Sequence, residues 1–227
     1  MSRVLVIGDP HCGATHPRYL DFCCDIRDSW QCGEVVIIGD IIDHHNVSFH
    51  GRDPEAIGPL DEFVTVKAEL DLWKKKFPKA KVCIGNHDER IYRLASSVNI
   101  ISKYIRPYSE VWDTPEWEWD YEFIIDNVHY SHGTGCSGIN PAFNAATKRM
   151  MSTVIGHCHS RAGIKWAAGP NTRIFGMDVG CGVDHKAIAM RYGRNMLAKP
   201  ILACGVVIDG IPYHEIMPCG HGETYCK

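Results

Sequence analysis

Val35-Val36-Ile37-Ile38-Gly39-Asp40-Ile41-Ile42-Asp43 is an apolar run that breaks at a glycine and then sets two carboxylates three residues apart. A continuous run of β-branched residues bounded by turn formers fits a strand covered on both faces. The same form occurs on either side: Arg3–Ile7 ends in Gly8-Asp9, and Lys81–Ile84 ends in Gly85-Asn86. Helical patterns separate these strands. From Pro59 to Phe77, the residues Phe63, Val66, Leu70, Trp73 and Phe77 recur at three- and four-residue spacing before Pro78 stops the helix, and an earlier helix is expected from Pro17 to about Ser29. The first half therefore alternates strand and helix.

The second half reads as mostly strands. Phe123–Ile125 and Val128–Ser131 form a hairpin about Asp126-Asn127, Val154-Ile155 is a short strand, and Asn140-Pro141 opens a helix reaching about Met150. Further strands are expected at Ile174–Met177, Ala187–Arg191 and Leu202–Ile208, the last turning at Asp209-Gly210 into Ile211–Ile216. The expected architecture is α/β, a two-sheet β-sandwich flanked by helices. From about 96 to 121 the pattern is irregular, with Trp112, Trp117 and Trp119 set among carboxylates. This stretch is a candidate lid, insertion or stacking platform; a cap on the sandwich or a subunit contact is the alternative.

At 227 residues the chain is about one and a half times the usual domain length, and it is expected to be a single domain over 1–227. With 45% hydrophobic and 22% charged residues it falls in the globular range, which excludes disordered, collagen-like and coiled-coil classes. Its formal net charge of −3 provides no global field for polyanions, so any phosphate must be bound by a local site. The opening apolar run is too short for a signal peptide and no segment approaches membrane-spanning length, so the expectation is a cytoplasmic protein without a membrane partner. Eleven cysteines, an odd number with no Cys-x-x-Cys pair, read mostly as reduced core residues.

Thirteen histidines are more informative, because several stand beside Asp, Asn or Gly where apolar runs end. Five clusters carry the pattern: Asp9-Pro10-His11; Gly39-Asp40-Ile41-Ile42-Asp43; Gly85-Asn86-His87-Asp88; His132-Gly133; and Gly156-His157-Cys158-His159. Strand ends meet at one edge of an open sheet, so donors distant in sequence can converge there.

In this order the clusters resemble the calcineurin-like metallophosphoesterases, whose pattern is D-x-H, G-D-x-x-D, G-N-H-D/E, H and G-H-x-H. The match runs from Asp9 to His159. It implies a four-layer α/β/β/α sandwich with two metal ions at the sheet edge. By resemblance, one ion is held by Asp9, His11, Asp40 and His159, and the other by Asp40, Asn86, His132 and His157, with Asp40 shared. It further implies attack on phosphorus by a hydroxide bridging the metals, with His87 as acid for the leaving oxygen and Asp43 orienting it. The nitrogen and oxygen donors suit two divalent transition metals, with Mn, Fe or Zn preferred and Ni or Co as alternatives. Asp88 is read as a structural loop residue.

The chain departs from the protein phosphatases of this superfamily, because Asp43 is followed by His44-His45-Asn46 and not by an arginine. Arg52, Arg90 or Arg93 would have to supply that phosphate contact. Superfamily exonucleases tend to carry histidine where Asp43 stands. The implied function is a phosphodiesterase or phosphatase acting on nucleotides or other small phosphorylated substrates; the alternatives are a nuclease on DNA or RNA and a metal-binding, non-catalytic scaffold. His44, His45 and His50 are either substrate contacts or solvated loop residues. His129 is the alternative to His132, which is preferred because it ends its strand. Cys12 and Cys158 are read as packing residues, and Cys219, His221 and Cys226 as a frayed tail in preference to a zinc site.

Overall fold

A computed structural model describes residues 2–48, 54–184, 186–187 and 197–218. In chain order the elements are β1 (Arg3–Ile7), α1 (Tyr19–Trp30), β2 (Glu34–Ile37), α2 (Pro59–Lys76), β3 (Ala80–Cys83), α3 (Arg90–Ser97), α4 (Tyr108–Val111), β4 (Trp117–Asp120), β5 (Glu122–Ile125), β6 (Val128–Ser131), α5 (Pro141–Arg149), β7 (Ser152–Ile155), β8 (Ala162–Ala168), β9 (Arg173–Val179), β10 (Ala203–Ile208) and β11 (Ile211–Ile216). They build a six-stranded sheet ordered β11-β10-β1-β2-β3-β4 and a five-stranded sheet ordered β5-β6-β7-β9-β8.

Alternation along β1 makes the layers. Leu5 and Ile7 point to a core shared with Tyr19 and Cys23 of α1 and Val66, Leu70 and Trp73 of α2. Val4 and Val6 point the other way, into a core shared with Phe123, Tyr130, Val154, Phe175 and Met177 of the second sheet. A strand buried on both faces has no polar face to show, which is why its sequence reads as an unbroken apolar run. α5 packs on the outer face of the second sheet against β7 and β9, completing four layers, α/β/β/α. Among the described residues no helix is long and apolar enough to cross a membrane.

Both expected hairpins form. Their two-residue turns take positive φ, at Asp126 (50°) and Asn127 (59°) and at Asp209 (48°) and Gly210 (78°), as the twist of the joined strands requires.

Three expectations need correction or completion. Trp112 and Trp117 are 3% and 4% exposed in the helix-side core, and residues 117–120 pair with β3 as the edge strand β4. Trp117 donates to the Phe77 carbonyl at 2.9 Å, and Trp119 stacks on Tyr108. These indoles cap the sandwich and are not free to form a stacking platform over a ligand. β8 was not expected, because its exposed Lys165, Trp166 and Ala168 hide the usual alternation. The strand expected at Ala187–Arg191 lies, beyond Ala187, outside the described residues. So do His50, Arg52, Cys219, His221 and Cys226. The nine cysteines among the described residues are all free, seven of them buried.

Candidate metal centre

β1, β2 and β3 run parallel in one sheet and β6 and β7 in the other, so all five end at one edge. The loops that leave them bring the five clusters together. Asp9, His11, Asp40 and His159 place one donor atom each within 4.8 Å of one another, and so do Asp40, His132 and His157. Asn86 joins the second group, with its Oδ1 3.0 Å from His132 Nε2. Asp40 belongs to both: its Oδ2 is 3.7 Å from His11 Nε2 and 3.1 Å from His132 Nε2. A third group is formed by His11, Asp43 and His87.

The backbone is shaped to this convergence. His11 (φ 50°), Asp40 (46°) and His157 (65°) all adopt left-handed conformations, which cost residues with a Cβ on the order of 1–3 kcal/mol each and persist where the surroundings over-determine them. Gly85 and Gly156 are needed for space: a Cβ at either would fall 2.2 Å from Asp40 Oδ1 or 2.1 Å from Asp9 Oδ1. Backbone amides fix the carboxylates in turn. His87 N–H donates to Asp40 Oδ1 and His157 N–H to Asp9 Oδ2, each at 2.7 Å.

The donor set suits cations. His132 Nδ1–H donates to the Ile38 carbonyl at 3.1 Å and His11 Nδ1–H to Asp43 Oδ1 at 2.9 Å. Both contacts place a proton on Nδ1 and turn Nε2 inward as the atom that can ligate, the arrangement found behind metal-bound imidazoles. Ring nitrogens also face one another without a proton-rich partner between them: His11 Nε2 and His159 Nε2 are 3.2 Å apart, as are His157 Nδ1 and His132 Nε2. Asp9 Oδ1 is buried and has no hydrogen-bond partner among the described residues. A convergence of lone pairs and a carboxylate oxygen, buried and short of donors, is compensated by positive charge.

The charges around these rings make the same demand. Burial opposes charging His132, yet the carboxylates of Asp40 and Asp9 push its pKa up to about 10. Burial would raise Asp40, but His132 and His87 hold it well below the usual carboxylate range. Burial lowers His11 and His157, the latter helped by the neighbouring His132. These two rings are ready to offer lone pairs.

Asp43 faces two rings. Its Oδ1 accepts from Nδ1 of both His11 and His87, each at 2.9 Å, so one buried carboxylate orients a residue of the first donor group and the neighbouring His87 together. Arg90, 7% exposed, was not foreseen beside His87: its guanidinium donates to the Asp43 carbonyl at 2.7 Å and to His87 Nε2 at 3.2 Å. It therefore holds the loop and the imidazole. Only its basic character and position after the third cluster marked it in the sequence. Asp88 is buried and accepts from the amides of Ile42 and Gly85 at 3.1 and 2.8 Å, clasping two of the loops together. His44 contacts the His87 carbonyl at 3.0 Å, and the His45 amide is bound by Glu62. His129 pairs with Glu122 at 2.8 Å and takes no part in the cluster.

The model of the calcineurin-like phosphoesterase family matches residues 2–174. No curated protein matches the chain. Among solved structures, a metallophosphoesterase from Sphaerobacter thermophilus is 13% identical with a TM-score of 0.49, covering 96% of this chain and 88% of its own. The nuclease MPE of Pseudomonas putida is 13% identical (TM-score 0.46; 93% and 86% covered). Vacuolar Protein Sorting 29 from Cryptosporidium parvum is 12% identical (TM-score 0.45; 95% and 96% covered).

Proposed function

The chain belongs to the calcineurin-like phosphoesterase family, and from that premise we propose that it hydrolyses phosphodiester or phosphomonoester bonds of nucleotides or other small phosphorylated substrates at a two-metal centre. The observation that carries this reading is the pair of buried donor groups, Asp9/His11/Asp40/His159 and Asp40/His132/His157 with Asn86, joined through one carboxylate. Asp40 can be shared because its Oδ2 faces a ring nitrogen of each group, His11 Nε2 and His132 Nε2, while Oδ1 is tied to the His87 amide. Two divalent ions held there, Mn, Fe or Zn by donor type, would polarise the phosphoryl oxygens and make water acidic enough to supply a nucleophile near neutral pH.

The remaining roles fall to the chain. Asp43 fixes the His87 ring by its Nδ1–H, so Nε2 is the atom at which a proton is exchanged with the leaving oxygen. The pKa of His87 supports this: burial lowers it, but Asp40 and Asp43 outweigh burial and raise it above the ordinary value. Arg90 donates into the same Nε2, so proton delivery requires the imidazole to exchange that contact for the substrate. Arg90 also places a cation beside the leaving group, where negative charge develops.

The test is a panel of bis(p-nitrophenyl) phosphate, p-nitrophenyl phosphate, cyclic nucleotides and single-stranded DNA, assayed with added Mn, after chelation and after Mn is restored. The proposal expects metal-dependent hydrolysis of at least one small ester. Chain carrying two ions yet inert on every member of the panel would overturn it, and hydrolysis of DNA alone would move the assignment to a nuclease.

A further inference from the structure

A second polar concavity opens on the same edge. α5 crosses between the parallel strands β6 and β7, so it runs back against them and its N-terminus faces the edge where they deliver His132, His157 and His159. The first turn of α5 lies directly on β9 at Gly176, where a Cβ would be 2.3 Å from the Phe143 nitrogen. That turn is uncapped: Asn140 makes no side-chain cap bond and Pro141 has no N–H to offer. The amides that follow have no partner inside the helix and carry the positive end of its dipole.

These groups border a cavity of about 330 Å³, whose other walls include Arg161, Lys165 and Asp178. Arg161 is exposed and forms no salt bridge among the described residues. Lys165 is held over the helix start, its Nζ 5.0 Å from the centre of the Phe143 ring. Along β9, Phe175, Met177 and Val179 face the core between the sheets, so Asp178 faces α5. Asp178 is only 4% exposed; its Oδ1 accepts the Gly180 amide, and its buried Oδ2 has no hydrogen-bond partner among the described residues.

We propose that this cavity is a phosphate subsite that takes a second phosphate group of the substrate, beside the one engaged at the metal centre. The inference rests on the phosphoesterase reading above and narrows it to substrates with two phosphate groups, such as a nucleoside bisphosphate or a 5′-phosphorylated dinucleotide. Two cations, the open helix terminus and an unpartnered buried oxygen meet there in a chain with no global positive field. Burial, with the Asp9 charge adding to it, pushes the Asp178 pKa up to about 9. Burial is the larger cause and opposes a charge on this carboxyl, which in its protonated form presents an O–H donor to an anion. The spacing also fits: Arg161 lies two residues beyond His159, and Asp178 pairs in register with Ile155, two residues before His157. Two residues span at most about 7 Å along the chain and neighbouring strands lie about 4.8 Å apart, so both groups stand within about 10 Å of the histidine loops.

The experiment is titration calorimetry of the full chain at saturating Mn, with the non-hydrolysable phosphonate analogues of thymidine 5′-monophosphate and thymidine 3′,5′-bisphosphate. The bisphosphate analogue is expected to bind roughly tenfold tighter, the size of one added charge-assisted contact, and the ratio is expected to fall towards one in Arg161→Glu, a change at an exposed position. Equal affinities in the wild type, or a ratio that survives in Arg161→Glu, overturn the subsite. The two proposals fail separately. Ester hydrolysis with a ratio of one defeats the subsite alone, whereas a tenfold ratio without hydrolysis of any ester keeps the phosphate site and defeats the phosphoesterase reading.

Discussion

Replacing Asp43 with asparagine removes one charge and leaves the packing nearly unchanged, so it isolates what that carboxylate does. In the wild type Asp43 Oδ1 accepts from Nδ1 of His11 and of His87 at 2.9 Å each, in a position 4% exposed. Hydrogen bonds to a charged acceptor are worth about 1.5–3 kcal/mol, roughly twice their neutral counterparts. Converting two of them to neutral bonds therefore loses on the order of 2 kcal/mol. The part borne by His11 weakens an imidazole of the first donor group, and losses behind metal ligands usually cost 10–100-fold in affinity. We expect Asp43→Asn to bind Mn about 30-fold more weakly at one of two sites, measured by calorimetric titration of chelator-treated protein, with the far-ultraviolet circular dichroism of the wild type. Wild-type affinity at both sites would show that Asp43 does not support His11.

Further outcomes follow from the same geometry. Burial would raise the Asp43 pKa, but the bonds from His11 and His87 hold it well below the ordinary 3.8. Its contribution to stability is therefore present above about pH 4 and lost as pH falls further, so the thermal-stability gap between metal-free wild type and Asp43→Asn should narrow below pH 4. His132, with its pKa near 10, must give up a proton to ligate, whereas His11 and His157 lie below the ordinary value. Metal loading at pH 8 should thus release about two protons, one from His132 and one from the metal-bound water, and affinity should rise with pH up to about 10, both read by calorimetry in buffers of different ionisation enthalpy. Asp40→Ala or His157→Ala should abolish turnover on the nitrophenyl esters. His87→Ala should keep both metals and slow esters with poor leaving groups most; an equal slowing across leaving groups would contradict its role as acid.

Strand ends were the most legible part of the chain. Burial on both faces leaves β1, β2 and β3 as bare apolar runs, and a run has to stop where the chain turns, so the positions of Asp9, Asp40 and Asn86 followed from hydropathy alone. The hairpin turns were legible because Asp-Asn and Asp-Gly tolerate positive φ. β8 was hidden because one of its faces is open to solvent, and the tryptophans of 112–119 left two readings open because aromatic side chains among carboxylates look the same in sequence whether they cap a core or line a groove. Within the site, residue types were visible but their connections were not. The clasp of Asp88 on two loops, the double duty of Asp43, the left-handed backbone of His11, Asp40 and His157, and the contact of Arg90 with His87 all depend on which loops meet across the edge, and no local pattern encodes that.

If two cations share Asp40, anomalous diffraction from crystals grown with Mn should show two peaks, one surrounded by Asp9, His11, Asp40 and His159 and the other by Asp40, Asn86, His132 and His157. A single peak, or Mn bound away from Asp40, would contradict that sharing.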